Sequence, residues 1–290
     1  MVEVIPTVEQ MQELAENLRR DGRRIACVPT MGFLHDGHLS LMRLAKRRAD
    51  VLVVSVFVNP AQFGPEEDFE TYPRNLERDL DLCAKENVDI VFTPKTMALY
   101  PDGFQSYVKL EHLPYHLCGL SRPVFFTGVA TVVCKLFNIV RPHIAVFGEK
   151  DYQQLLIIRR MVKDLNINTK IIGGPIVREK DGLAMSSRNA YLTPDQRPAA
   201  LALYRTLVQA RKRVETGERN AARILKEARD LISAQPETDI DYLSICDPET
   251  LIDVERIDRP ALMALAVKVG KTRLIDNTIL AASSTDARSV

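Results

Sequence analysis

Arg24-Ile25-Ala26-Cys27-Val28-Pro29-Thr30-Met31-Gly32-Phe33-Leu34-His35-Asp36-Gly37-His38-Leu39 is the stretch on which the fold turns. Arg24–Val28 reads as a short buried strand, stopped by Pro29, which has no N–H to give a sheet. Two glycines follow within Met31–His38, and then apolar residues recur at helical spacing through Leu39, Met42, Leu44 and Ala45. A strand that runs through a glycine-bearing turn into a helix is the opening half of a βαβ unit.

The same alternation extends on both sides. Upstream, Thr7 and Gln10 fit a capping box, and Val8, Met11, Leu14 and Leu18 share one helical face that Gly22 ends. Downstream, Val51–Val58 is β-branched and apolar on both faces, as a central parallel strand requires. Asn59–Pro73 reads as a loop, Leu76, Leu80 and Cys83 mark a helix, and Asp89–Thr93 marks a strand. Then come a helix over Thr127–Val140, a strand over His143–Phe147, a helix over Asp151–Leu165 and a strand over Lys170–Val177. Strands alternating with helices predict an α/β fold: a Rossmann-like, doubly wound parallel sheet. Ligands of such sheets bind beyond the carboxyl ends of the strands. The segments after Val28, Val58, Phe147 and Val177 are therefore expected to converge on one crevice.

The pattern changes near residue 190. Thr193 is placed as an N-cap with Pro194 in the first helical position, leading a helix to about Val214. A helix over Asn220–Ile232 and strands over Ile240–Cys246, Ala261–Val269 and Thr278–Ala281 complete a smaller α+β domain. The expected division is residues 1–189 and 190–290, with a loose polar tail at Ser283–Val290.

Bulk composition narrows the function classes. The chain of 290 residues carries 39 basic and 38 acidic residues, a net charge of +1, so no global field draws it to nucleic acid or to an anionic membrane. The five cysteines are odd in number and none forms a C-x-x-C pair, which argues against a zinc cluster or a disulfide framework. No signal-peptide pattern opens the chain, and its longest apolar run, Val51–Val58, falls far short of the about 20 residues a bilayer requires. A soluble cytoplasmic protein is expected.

Four segments carry chemistry. In Met31–His38 the glycines admit close backbone approach, and the helix start aims unpaired N–H groups at an anion. His35 and His38, three apart, fall on one side and can donate to phosphate oxygens; a tight turn with two surface histidines is the competing reading. The motif is neither G-x-x-x-x-G-K-[ST] nor G-x-G-x-x-G. Gly148-Glu149-Lys150-Asp151 has the same strand–turn–helix placement, with Lys150 as a point charge for phosphate, Asp151 a candidate cap, and Gln154 one turn on. Met185-Ser186-Ser187-Arg188 joins two hydroxyls to an arginine, either a phosphate clamp on a mobile flap or an exposed linker. Asn59 and Gln62 are neutral amides suited to a small polar substrate, or a simple Asn-Pro turn. His112, His116 and His143 are read as structural; Asp68, Asp79 and Asp81 are read as an acidic surface sooner than as magnesium ligands.

Taken in order, these motifs resemble the pantothenate synthetases, or pantoate–β-alanine ligases, of the nucleotidyltransferase superfamily that also holds class I aminoacyl-tRNA synthetases. The resemblance spans about residues 3–282. It rests on Pro29-Thr30-Met31-Gly32 with His35-Asp36-Gly37-His38, the family's HIGH-type motif, and on Val56–Pro60 with Gln62-Phe63. It rests further on Tyr72-Pro73-Arg74, on Phe147–Asp151 with Gln153-Gln154, and on Asp181–Asn189. Phe33 and Ala61 stand where the family varies.

The resemblance implies condensation of (R)-pantoate with β-alanine through a bound pantoyl adenylate, with release of diphosphate and AMP. It implies ATP with Mg2+ as co-substrate, no tightly bound cofactor, metal ligands unspecified, a C-terminal lid domain and a homodimer. Carried over by position, Met31, Gly32, Phe33, Leu34, His35, Asp36, Gly37, His38, Gly148, Glu149, Lys150, Asp151, Val177, Met185, Ser186, Ser187 and Arg188 contact ATP. His38, His35, Lys150 and Arg188 act in catalysis; Gln62 meets pantoate and β-alanine, Gln154 meets pantoate, and Asn59 stands beside them. Such a mechanism needs no general base, because a carboxylate nucleophile is already ionised at pH 7. The rivals are a nucleotidyltransferase for a phosphate-bearing acceptor, a tRNA synthetase and a non-catalytic nucleotide binder. The neutral Asn59/Gln62 side, the near-zero charge, and the set of both histidines with Lys150 and Arg188 argue against them in turn.

Overall fold

A computed structural model describes residues 2–65 and 67–281; the tail expected at Ser283–Val290 lies outside them. The elements, in chain order, are β1 (Glu3–Ile5), α1 (Val8–Arg20), β2 (Ile25–Thr30), α2 (Asp36–Lys46), β3 (Val51–Val56), α3 (Leu76–Lys85), β4 (Ile90–Phe92), α4 (Thr96–Leu99), α5 (Cys118–Ser121), α6 (Phe125–Val140), β5 (Ile144–Gly148), α7 (Tyr152–Asp164), β6 (Lys170–Gly174), α8 (Arg197–Glu215), α9 (Ala221–Ser233), β7 (Thr238–Cys246), β8 (Ala261–Val269) and β9 (Thr272–Leu280). The chain forms two compact units. One holds the described residues up to Pro114 with Arg122–Val177; the other holds Tyr115–Ser121 with those from Arg178 onward. The second unit thus begins ahead of the division at 189/190 expected from the sequence. Leu183 belongs to its core, and Arg178 is paired there with Asp276 at 2.6 Å.

The first unit is a six-stranded sheet in the order β1-β4-β3-β2-β5-β6, parallel at every pairing. The chain leaves β2 towards β3 and β4, then returns to build β5 and β6 on the other side. The order therefore reverses between β2 and β5, and a ligand crevice belongs at their carboxyl ends. Alternate residues of β2 feed two cores. Ile25 and Cys27 join α1, α6 and α7 on one face, and Ala26 and Val28 join α2 on the other. At the amino ends of the strands, Arg24, Arg47, Arg48 and Lys170 line an open hollow. Arg47 and Arg48 follow the last turn of α2, where cations meet the negative end of the helix dipole.

Pro29 does not stop β2, which continues to Thr30. The His143 N–H bonds to the Ile25 carbonyl and the Phe57 N–H to that of Thr30, so odd-numbered residues of β2 address the β5 side. Pairing with β5 ends at Cys27, before Pro29, whereas pairing with β3 runs on through Pro29 to Thr30 and needs no N–H from it. β6 ends at Gly174, short of the expected Val177, because Pro175 follows.

The second unit packs α8 and α9 on the antiparallel sheet β7-β8-β9. α8 starts at Arg197, not after Thr193; the Thr193 hydroxyl accepts from the Gln196 N–H in a separate preceding turn. β9 is longer than its Thr278–Ala281 signal. Its buried positions include the polar residues Thr272, Asp276 and Asn277, which hide the apolar alternation. Among the described residues no helix is long and apolar enough to cross a membrane.

Candidate active site

The turn between β2 and α2 is held from several directions. The Thr30 hydroxyl donates to the Ser55 carbonyl at 2.7 Å and accepts from the Gly32 N–H at 3.2 Å. Gly32 has φ +79° and Phe33 φ +48°. A left-handed phenylalanine costs on the order of 1–3 kcal/mol, so the surroundings must enforce it. They do so through α3. The Asp79 carboxylate accepts from the Phe33 N–H at 2.7 Å and the Leu34 N–H at 2.8 Å. Arg78 donates to the Leu34 carbonyl at 2.9 Å and lies 5.3 Å over the Phe33 ring.

His35 is the N-cap residue of α2, and His38 is in its first turn. Their rings lie 4.0 Å apart. The Nδ1 of His38 accepts from the His35 N–H at 3.3 Å, so the proton of a neutral His38 belongs on Nε2. Burial, then the Lys150 charge, pulls His35 down to about 4. Burial, His35 and Lys150 together hold His38 well below the ordinary imidazole value. Both rings are neutral at pH 7. The pair therefore offers N–H donors beside the first turn of α2, whose backbone N–H groups have no helical carbonyl to take them.

Lys150 comes from the other strand at the reversal. β5 ends at Gly148, Glu149–Asp151 form a 3-10 turn, and α7 follows. Asp151 holds the N-cap position without a side-chain cap bond. Gln153 is buried and donates to the Leu113 carbonyl at 2.9 Å, whereas the neighbouring Gln154 is half-buried.

Asn59 and Gln62 form one network with Met31. The Asn59 amide donates to Gln62 Oε1 at 3.0 Å and to the Gly128 carbonyl at 3.1 Å, and its oxygen accepts from the Ala61 N–H at 3.3 Å. Both amide hydrogens of Asn59 are thus used inside the protein, so it orients Gln62 more than it presents itself. Gln62 Nε2 donates to Met31 Sδ at 3.0 Å. A thioether is a weak acceptor, so this N–H is only weakly held. Arg122, ion-paired to Glu67, donates to the Gln62 carbonyl at 3.3 Å.

Met185–Arg188 belong to the second unit. Ser186 caps the 3-10 turn Ser187–Tyr191, its hydroxyl accepting from the Arg188 N–H at 3.3 Å. Asn189 ties the segment to Glu179 at 2.6 Å, and Arg197 pairs with Glu179 and Asp181. Val177 is the last residue of the first unit.

The sequence therefore picks out residues that the first unit does bring together: His35 and His38 with Lys150, and Met31 with Asn59 and Gln62. It misses Asp79 and Arg78. Asp79 reads as surface acid in the sequence, yet it is 1% exposed. The available signal is its place four residues before Cys83, on the buried stripe of α3. Burial pushes its carboxyl up, and the two N–H bonds and Arg78 pull it back. Asp79 is spoken for by the turn, and Asp81 is exposed. Among the described residues no group of three or more His, Cys, Asp or Glu could hold a metal ion. The buried Nδ1 of His35 has no hydrogen-bond partner.

Residues 3–279 match the family model described as pantoate-beta-alanine ligase. The pantothenate synthetase of Desulfatibacillum aliphaticivorans is 59% identical over 279 residues, 96% of this chain and 99% of that protein. The crystal structure of pantothenate synthetase from Thermus thermophilus superposes with a TM-score of 0.90 at 44% identity, covering 96% of this chain and 99% of that one. Pantoate-beta-alanine ligase from Francisella tularensis, solved in complex with beta-gamma ATP and beta-alanine, has a TM-score of 0.80 at 34% identity over 96% of this chain and 98% of that one.

Proposed function

The chain belongs to the pantoate–β-alanine ligase family, and on that premise we propose that it forms pantothenate in two steps through a bound pantoyl adenylate. A carboxylate oxygen of (R)-pantoate attacks the α-phosphorus of MgATP, the bond to the bridging oxygen breaks, and diphosphate leaves. The amine of β-alanine then attacks the acyl carbon; AMP leaves and the amine gives up a proton to solvent.

The observation that carries this reading is the meeting of two neutral histidines, a lysine charge and a helix N-terminus at the sheet's reversal point. The difficulty of the first step is negative charge on the phosphates, and fixed donors in a partly dry site address it directly. His38 donates through Nε2–H as charge builds on a phosphate oxygen. Its neutrality matters, because a donor that keeps its proton stabilises charge without a proton-transfer step. Lys150 supplies the compensating positive charge, and Ser186, Ser187 and Arg188 supply further phosphate donors. The Val177 backbone meets the adenine. Gln62 turns its Nε2–H from the Met31 sulfur to pantoate and later to β-alanine, with Asn59 fixing its amide, and Gln154 binds pantoate. The Francisella complex supports both ATP and β-alanine as ligands. Magnesium enters with ATP, coordinated by phosphate oxygens, and no resident cofactor is required. A homodimer in the cytoplasm completes the reading, and five cysteines outside any disulfide suit that compartment.

ATP–diphosphate exchange tests it. Exchange should require pantoate and precede any need for β-alanine. Exchange that ignores pantoate, or exchange that requires β-alanine, overturns the adenylate.

A further inference from the structure

Gly32 and Phe33, in succession, adopt positive φ, at +79° and +48°. In this turn the successive N–H groups of Phe33 and Leu34 point to the same side and make an anion-binding concavity. Here the anion is the protein's own. One oxygen of Asp79 takes the Phe33 N–H at 2.7 Å and the other takes the Leu34 N–H at 2.8 Å. The fit is close: a Cβ on Gly32 would stand 2.9 Å from Asp79 Oδ2 and 3.0 Å from Val56 Cγ1. Arg78 grips the opposite side of the same peptide chain through the Leu34 carbonyl at 2.9 Å. His35 follows immediately, and α2 starts from it.

We propose that Asp79, seconded by Arg78, is a positioning residue for adenylation: α3 sets the turn that aims the N-terminus of α2 and its two histidines. This rests on ATP occupying that turn. An apolar residue would fill the Asp79 position without the desolvation cost of a carboxylate, so stability alone does not account for a charge there. Geometry does. Only a group with two acceptors can hold both N–H groups of the left-handed turn at once. A displacement of about 1 Å in such a site is worth about 10²-fold in rate.

The experiment compares wild type, Asp79→Asn and Arg78→Met in pantoate-dependent ATP–diphosphate exchange, with thermal midpoints measured alongside. In Asp79→Asn the amide keeps one acceptor and opposes the other N–H with a donor. We expect exchange to fall about 100-fold with a raised KM for ATP, an unchanged KM for pantoate, and a midpoint well above the assay temperature. Arg78 is partly exposed, so Arg78→Met folds, and its KM for ATP should rise several-fold. Normal ATP kinetics in both variants overturn the proposal. So does a loss of exchange that only tracks the unfolded fraction. If wild type itself shows no pantoate-dependent exchange, the adenylating function fails instead, and the two failures are told apart.

Discussion

Replacing Gly128 with alanine should damage the pantoate half of the site from within a helix. Gly128 lies in α6 against the turn Pro60–Gln62. Elsewhere in a helix, glycine to alanine gains about 1 kcal/mol of propensity. Here the added Cβ would stand 2.1 Å from the Ala61 carbonyl oxygen and 2.6 Å from the Gln62 nitrogen. All three nearest atoms are backbone, so no side chain can rotate away. Reaching an ordinary contact of about 3.5 Å requires the helix and the turn to part by roughly 1.4 Å. Overpacking of that kind costs about 1–3 kcal/mol, more than the propensity gain, so net stability falls. The consequence for function is larger. Separation strains the Asn59–Gly128 hydrogen bond, now 3.1 Å, and Asn59 in turn orients Gln62. A misplacement of about 1 Å at a substrate amide is worth about 10²-fold in kcat/KM. The assay is ATP–diphosphate exchange against pantoate concentration, with urea unfolding as the control. We expect kcat/KM for pantoate to drop about 100-fold, KM for ATP to hold, and the urea midpoint to shift down. A variant with wild-type pantoate kinetics and equal or greater stability would refute the reasoning, because it would show that α6 and the turn do not share a fixed spacing.

Alanine at His38, His35, Lys150 or Arg188 should each cost about 10²–10³ in adenylation, read by single-turnover formation of pantoyl adenylate; near-normal rates at any position take that residue off the list. The pH dependence follows from His35, which titrates near 4 when folded against about 6.5 when unfolded. The unfolded chain binds the extra proton, so stability is lost as pH falls from about 6.5 towards 4. His35→Gln should lessen that slope in urea titrations at several pH values, and an unchanged slope counts against a buried neutral His35. In the second unit, Arg178 pairs with Asp276, whose side chain is 1% exposed. Arg178→Met leaves that carboxylate uncompensated and should cost about 3–5 kcal/mol, with Arg178→Met/Asp276→Asn recovering much of it. Equal unfolding midpoints for the single variant and wild type would dispose of this.

Much of the fold was legible because its signals are local. Thr7 caps α1 through the Gln10 N–H at 3.3 Å, a bond between residues three apart. β8 spans Ala261–Val269, just as its apolar run indicates. The turn Met31–His38 and the turn after β5 declared themselves by glycines between a strand and a helix, because backbone geometry there depends on the residues themselves. Strand order, the neutral state of the histidines and the roles of Asp79, Asn59 and Gly128 were decided only by tertiary structure. Asp79 meets residues 45 and 46 positions away, and Asn59 meets Gly128 across 69. No local periodicity encodes such partners. A carboxylate on a helix looks the same in sequence whether it faces water or two backbone amides, and a glycine looks the same whether its missing Cβ would meet solvent or a carbonyl at 2.1 Å. Burial separates those cases, since desolvation and close packing exist only once distant segments have met.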